Sequence, residues 1–160
     1  MSAPVERAVV LARGAGTRMQ ATDGGAALTP EQAAAAASGH KALMPIAGRP
    51  FLDHVLAGLA AAGVTDVALV VAPDHAPMRA AYPGGLGPAG VRVSFVVQPE
   101  PRGTADAVLA AEAWAGDAPF LVLNGDNVYP ATALGALCRA AGPAVAAFDR
   151  ASLEATSNIP

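Results

Sequence analysis

The chain has 160 residues, enough for one domain, of which 53% are hydrophobic, many of them alanine, and 14% are charged. The formal net charge is −3 and no cluster of lysine and arginine occurs, which excludes the basic footprint that a duplex nucleic-acid partner needs. Cys138 is the only cysteine and no membrane-span or signal-peptide pattern is found, so an intrachain disulfide is excluded and a cytoplasmic protein is expected.

The first predicted element is a short buried strand at residues 8–10, which leads into a glycine-rich loop. An insert of mostly small residues follows at 19–40. Within it, Thr29, Pro30 and Gln32 occupy the positions of a capping box with proline at the first helical position, which predicts a short helix continuing through 33–37. A flexible alanine-rich insert is an equally weighted alternative, because alanine buries little surface.

Helix and strand patterns alternate along the rest of the chain. Leu52, Val55, Leu56 and Leu59 recur at helical spacing, and Gly63 is expected to end that helix. Apolar runs predict strands at 67–71, 91–97, 120–123 and 144–148, and helical stretches are predicted between them at 76–82, 104–114 and 131–141. The alternation predicts a single α/β domain over 1–160, with three α/β/α layers around a mainly parallel, Rossmann-like sheet.

Three loops follow predicted strands directly, at 13–18, 98–103 and 124–127. Ligands of parallel α/β sheets bind beyond the carboxyl ends of the strands, so we expect all three loops to face one crevice.

The first of these loops has the composition of a phosphate site. Gly14 and Gly16 can adopt backbone angles closed to other residues and allow main-chain N–H groups to approach an anion, and Arg18 adds a permanent charge. The loop is not a Walker A motif, because no Gly-Lys-Ser/Thr follows. It is not a dinucleotide fingerprint either, because Met19 replaces the third glycine. A purely turn-forming role for the glycines is the alternative.

Two of the other motifs supply a cation and a site for the base. Lys41 can reach a phosphate, with Leu43 and Met44 as apolar anchors after it, although an ordinary surface lysine is the alternative. Gln98 offers a donor and an acceptor to a base, and Gly103 allows a flat ring close to the backbone.

Thr104 and Asp126, at or next to these loops, each allow a purely structural interpretation as well as a functional one. Thr104 could serve only as a helix cap. Asp126, after Gly125, is a hard oxygen ligand suited to Mg²⁺, or alternatively a turn residue that caps the next helix.

In this order, the segments resemble the sugar-phosphate nucleotidyltransferase family, enzymes that join a nucleoside triphosphate to a sugar 1-phosphate. The likeness rests on residues 11–18, 41–50, 98–108 and 124–126, and it covers the N-terminal, nucleotide-binding portion of the family's glycosyltransferase-A-like fold. It implies Mg²⁺ as cofactor and a nucleoside triphosphate and a sugar 1-phosphate as partners, with no nucleic acid and no membrane. The oligomeric state, a homo-oligomer included, stays open.

The resemblance also implies a role for each matched residue. Arg18 and Lys41 would be catalytic, and Asp126 would bind the metal. Positions implied to bind the nucleotide are Leu11, Ala12, Gly14, Gly16, Thr17, Gln98, Gly103, Thr104 and Gly125.

Several features depart from the family pattern. Arg13 stands where a glycine is usual, His40 stands where a proline is usual, and the 19–40 insert is long enough to serve as a lid. The sugar-binding half, with a second metal carboxylate and a further lysine motif, would follow residue 160. A non-catalytic nucleotide-binding fragment is therefore an alternative, as is a molybdopterin or cytidylyl-type transferase. A nicotinamide-dependent dehydrogenase is a distant third.

Overall fold

The computed structural model describes residues 4–14, 29–37 and 41–149. The strands are β1 (Arg7–Leu11), β2 (Pro45–Ile46), β3 (Arg49–Pro50), β4 (Asp66–Val71), β5 (Arg92–Val97) and β6 (Leu121–Asn124). The helices are α1 (Pro30–Ala37), α2 (Phe51–Ala61), α3 (Ala76–Ala81), α4 (Thr104–Leu109), α5 (Glu112–Ala115) and α6 (Ala131–Cys138). None of these helices is long and apolar enough to cross a membrane.

Four of the strands form one parallel sheet in the order β5-β4-β1-β6, with helices on both faces, as predicted. The register pairs Val9 with Ala68 on β4 and with Val122 on β6, so β1 lies between two neighbours. Because β1 and β4 are covered on both faces, their apolar runs do not alternate with polar residues.

Helix α2 has the predicted apolar side and the predicted end. Its buried residues are Leu52, Val55, Leu56 and Leu59, and they pack on the sheet. Gly63 follows with φ of +98°, a left-handed conformation that a residue with a Cβ rarely adopts, and its N–H donates to the Ala60 carbonyl at 3.0 Å. Next to α2, Asp53 accepts a hydrogen bond from the Tyr82 hydroxyl at 2.9 Å. Burial, together with this carboxylate, raises the pKa of Tyr82 above its usual range.

The predicted capping box at the start of α1 is present. The Thr29 N–H donates to Gln32 Oε1 at 3.1 Å, and the Gln32 N–H donates to Thr29 Oγ1 at 3.2 Å. Gln32 Nε2 also donates to the Pro45 carbonyl at 3.0 Å, which ties α1 to the β2-β3 hairpin. This hairpin was not predicted. Its two-residue turn, Ala47 and Gly48, has positive φ at both positions, as in a type I′ turn.

Two predicted elements differ in the structure. The helix expected at 104–114 is divided into α4 and α5, because hydrogen bonds change from i→i−4 at Ala110 to i→i−3 at Ala111. The second segment is held by Arg7, whose guanidinium donates to the carbonyls of Trp114 and Ala115. Ala115 lies 108 residues later in the chain, a contact that local periodicity does not contain.

The strand predicted at 144–148 is wrong, since the structure has no strand there. Within the described ranges no neighbouring strand pairs with this segment, and Val145 is 90% exposed. An apolar run without a hydrogen-bonding neighbour does not form a ladder, whatever its composition.

Candidate functional site

A cavity of about 760 Å³ lies at the carboxyl ends of the parallel strands. All the predicted site residues that fall within the described ranges line it: Leu11, Ala12, Gly14, Lys41, Gln98, Gly103, Thr104, Gly125 and Asp126. Gly16, Thr17 and Arg18 lie outside the described residues, as does His40. A second cavity of similar size, beside the edge strand β6, is mainly apolar and contains none of the predicted residues. The first cavity is therefore the candidate site.

Main-chain hydrogen bonds at the end of β1 connect it to the neighbouring segments where they line this cavity. The Ala12 N–H donates to the Val70 carbonyl at 3.0 Å, and the Gly125 N–H donates to the Leu11 carbonyl at 2.9 Å. A Cβ at Gly125 would come within 3.1 Å of that carbonyl oxygen and 3.2 Å of Val10 Cγ1. A side chain at this position would therefore crowd the contact between the loops that follow β1 and β6.

The two glycines that line the cavity elsewhere differ from each other. Gly103 has φ of +102°, so a side chain there would be strained. Gly14 is outside the left-handed region, and a Cβ built on it meets no atom of the described residues within 4 Å. The special backbone angle expected at Gly14 is therefore not found.

Gln98 is the most constrained polar side chain of the site. It is 2% exposed, and its N–H extends the sheet by donating to the Val71 carbonyl at 2.9 Å. Its side-chain Nε2 donates to the Gly103 carbonyl at 3.2 Å and to Asp106 Oδ2 at 2.7 Å. Asp106 is partly buried and does not line the cavity.

Arg13 contacts the same segment from the β1 loop. Its Nε donates to the Gln98 carbonyl at 2.9 Å, and its Nη2 donates to the Pro99 carbonyl at 3.0 Å. The side chain that replaces the usual glycine therefore bridges two of the three loops. The sequence showed only its bulk, because its partners lie 85 and 86 residues away.

Lys41 lies at the cavity in a 3₁₀ turn, Lys41–Leu43, whose first carbonyl accepts the Met44 N–H at 3.0 Å. Met44 is buried and Leu43 packs on the core, as predicted for apolar anchors. Asp126 is exposed at the cavity. Helix α6 begins five positions later, after Pro130, so Asp126 does not cap it.

Thr104 also lacks the capping role that was considered for it. It is the first residue of α4, Gly103 occupies the N-cap position, and no side-chain cap hydrogen bond forms. Its hydroxyl is thus not engaged in capping this helix.

His75 and Met78 also line the cavity, and sequence reasoning missed both. His75 is buried and precedes α3, just beyond the end of β4. The signal that could have identified it is the one applied to the other loops, namely its position after a parallel strand. In the described part of the chain, no group of three or more histidine, cysteine, aspartate or glutamate side chains could hold a metal by itself.

The sequence of this chain is similar to those of known proteins. The family model described as nucleotidyl transferase matches residues 7–156. A glucose-1-phosphate thymidylyltransferase of Streptomyces antibioticus is 35% identical over 121 residues, which are 76% of this chain and 30% of that protein. A mannose-1-phosphate guanyltransferase of Aspergillus fumigatus is 42% identical over 94 residues, 56% of this chain and 26% of that protein.

Among solved structures, a UTP-bound UGPase from Acinetobacter baumannii superimposes with a TM-score of 0.60 at 22% identity, and the match covers 76% of this chain and 46% of that one. At this identity the likeness supports the fold alone. The chain thus spans less than half the length of each of these three proteins.

Proposed function

This chain belongs to the nucleotidyl transferase family, and we propose that it is the nucleotide-binding part of a Mg²⁺-dependent enzyme that joins a nucleoside triphosphate to a sugar 1-phosphate. The products are a nucleoside diphosphate sugar and pyrophosphate. One observation carries the proposal: Gly14, Lys41, Gln98 and Asp126 come from four separate segments and line a single cavity at the strand ends. The named activities of the thymidylyltransferase and guanyltransferase relatives support the same reaction.

The reaction needs no nucleophile from the protein. An oxygen of the sugar phosphate attacks the α-phosphorus and forms a new P–O bond, the bond from the α-phosphorus to the bridging oxygen breaks, and pyrophosphate leaves with that electron pair. Catalysis of this kind depends on positioning and on cations where negative charge accumulates. Lys41, and Arg18 from outside the described residues, would meet that charge.

The remaining residues would bind the nucleotide. Main chain at Gly14, Gly16 and Thr17 would hold the triphosphate, with Leu11, Ala12 and Gly125 forming the wall beside it. Gln98, Gly103 and Thr104 would hold the base.

Asp126 fits a Mg²⁺ ligand, because it is a carboxylate exposed at the cavity, and Mg²⁺ in proteins uses one or two carboxylates together with substrate phosphates. When bound, the ion would neutralise phosphate charge and orient the triphosphate.

Lys41 is the only lysine in the chain, which allows a selective test. A lysine-directed acylating reagent labels Lys41 and the chain's N-terminal amine, and peptide mass spectrometry separates the two. We expect a nucleoside triphosphate with Mg²⁺ to protect Lys41 and to leave labelling of the N-terminal amine unchanged. Equal labelling of Lys41 with and without saturating nucleotide would contradict the proposal.

Activity is tested by exchange of labelled pyrophosphate into a nucleoside triphosphate in the presence of nucleotide sugars. We expect Lys41→Ala to lower exchange about 10²-fold or more, as removal of an oxyanion-hole donor does. Arg49→Ala is the control, since Arg49 is an exposed cation of the hairpin that does not line the cavity. Nucleotide binding without any exchange in the unmodified chain would favour the second candidate, a non-catalytic nucleotide-binding module.

A further inference from the structure

The carboxamide of Gln98 has one orientation imposed by its surroundings. Its Nε2 carries two hydrogens, and the two acceptors beside it are the Gly103 carbonyl at 3.2 Å and Asp106 Oδ2 at 2.7 Å. Both partners are oxygens without a hydrogen to donate when Asp106 is ionised. The reversed amide would place Gln98 Oε1 against two oxygens. Asp106 Oδ2 would then lose the Gln98 donor, and the Gly103 carbonyl would keep only the Ala107 N–H at 3.1 Å.

This arrangement uses the full donor capacity of the Gln98 side chain. The polar atom left for a ligand is Oε1, which can only accept a hydrogen bond. Because Gln98 is 2% exposed and lines the cavity, a ligand that contacts this oxygen must supply a donor or leave a buried acceptor unpaired.

We propose that Asp106 is a positioning residue for base selection: it holds the Gln98 carboxamide with its oxygen toward the ligand, so the site takes bases with a ring N–H. Uracil, thymine and guanine carry that hydrogen at the centre of their Watson–Crick edge. Cytosine and adenine have a bare lone pair at the same position, which would oppose the Gln98 oxygen. The inference rests on the proposed function and deepens it by naming the class of nucleoside triphosphate.

Asp106 reaches the ligand only through Gln98. It lies within α4, one turn from the Gly103 carbonyl that serves as the second acceptor, and it is absent from the cavity lining. Two fixed acceptors on one short segment hold the amide more firmly than either would alone. Arg13 also holds the main chain of Gln98, through the hydrogen bond to its carbonyl.

The test measures dissociation constants of the 160-residue chain for UTP, CTP and 3-methyluridine triphosphate with Mg²⁺ by calorimetry. UTP and CTP have the same size and charge and differ in the edge that Gln98 would read. We expect UTP to bind at least about tenfold more tightly than CTP, because a buried acceptor left without its donor weakens binding by about that factor or more. The 3-methyl analogue lacks the ring hydrogen, so we expect it to bind as weakly as CTP.

Substitution at Asp106 then tests the positioning role. Asp106→Asn introduces an amide that can either accept from Gln98 Nε2 or donate to Gln98 Oε1, so both orientations of Gln98 become available. We expect the ratio of CTP to UTP dissociation constants to fall severalfold. Glu112→Gln makes the same chemical change at an exposed position of the neighbouring helix α5 and should leave the ratio unchanged.

The possible results separate the two proposals. If no nucleoside triphosphate binds, the proposed function fails. If nucleotides bind but UTP, CTP and the 3-methyl analogue are equivalent, the inference about Gln98 and Asp106 fails alone. A uniform loss for all nucleotides in Asp106→Asn, with an unchanged ratio, would show a structural role only. Because the comparison of UTP with its 3-methyl analogue uses the unmodified chain, it decides whether the Gln98 oxygen reads a ring N–H even if the variants do not fold.

Discussion

One face of the sheet is covered by α2, α3 and α6, and the other by α4 and α5. On the first, here called the leucine face, 20 buried residues form one cluster that includes Leu52, Leu56 and Leu69. On the second, the alanine face, the described residues form a cluster of five: Val9, Ala68, Val70, Ala107 and Ala111. Burial of leucine removes far more apolar surface from water than burial of alanine, so the two faces contribute unequally to stability.

The segment that carries Gln98 is ordered mainly by hydrogen bonds. Gln98 and Gly103 lie between β5 and α4, and Asp106 lies in α4, on the side of the sheet with the smaller buried cluster. Polar contacts connect this side to distant parts of the chain: Arg13 donates to the Gln98 carbonyl, and Arg7 donates to the end of α5. We infer that the leucine face carries the folding stability and that hydrogen bonds order the alanine face.

The largest expected effect is on the leucine face. Leu56 is fully buried, so Leu56→Ala should lower the free energy of unfolding by about 2–5 kcal/mol, the usual range for a leucine cavity in a core. Urea denaturation followed by circular dichroism measures it. A loss within the ~0.5 kcal/mol of an ordinary surface change would mean that this face is not the main source of stability.

A sharper comparison uses two neighbours on β1. Val9 and Val10 are both fully buried and point to opposite faces, Val9 to the alanine face and Val10 to the leucine face. Val10→Ala should lower the free energy of unfolding by about 1–3 kcal/mol, from the two lost methyl groups and the cavity left among large side chains. Val9→Ala should cost less, because short helices can move in to fill the space. Equal losses in the two variants would break the distinction between the faces.

Arg7 tests whether polar contacts hold the alanine face. Its guanidinium donates to two carbonyls at the end of α5 and stacks over the Trp114 ring at 4.1 Å from the centroid. Lysine cannot reproduce the paired donors, so Arg7→Lys should lower the free energy of unfolding by about 1–2 kcal/mol and speed hydrogen exchange in α4 and α5. Arg79→Lys is the control, since Arg79 lies over Phe95 on an exposed surface. If both variants behave alike, the carbonyl contacts contribute nothing specific.

The smallest effect is expected at the end of the sheet away from the site, where Arg92 donates two hydrogen bonds to Asp66, each at 2.6 Å. These bonds hold the pKa of Asp66 below its usual range. A depressed carboxyl pKa contributes stability that is present above the unfolded pKa and is lost as the pH falls through the folded value. Asp66→Asn should therefore reduce stability slightly at pH 6 and flatten its decline below pH 4. The check is urea denaturation at a series of pH values. An acid branch that is identical in both proteins would contradict it.

The order of elements was predictable because it depends on local patterns. The apolar runs of β1, β4 and β5 and the spacing of Leu52, Leu56 and Leu59 in α2 are visible in short windows of sequence. The capping box of α1 is likewise a four-residue signal. The strand-end rule then brought the loops after β1, β5 and β6 to one crevice, where the structure places their described residues.

Other features depend on partners that no local window contains. The helix at 104–114 divides where Arg7 holds its second half, and residues 144–148 form no strand because no described neighbour pairs with them. The hairpin at 45–50 is too short to show a period. No local pattern marks Asp106, and only its 2.7 Å contact with Gln98 shows its connection to the site.

The amino-acid sequence alone predicted the class of fold, the resemblance to the family and nine of the residues that line the crevice, because hydrophobic period and motif spacing are properties of neighbouring residues. The tertiary structure alone decided which side chains hold others in place, namely Arg13 on the Gln98 carbonyl, Asp106 on the Gln98 amide and Arg7 on the end of α5. Such contacts depend on the direction and distance of single hydrogen bonds, and these exist only once the sheet has brought distant segments together.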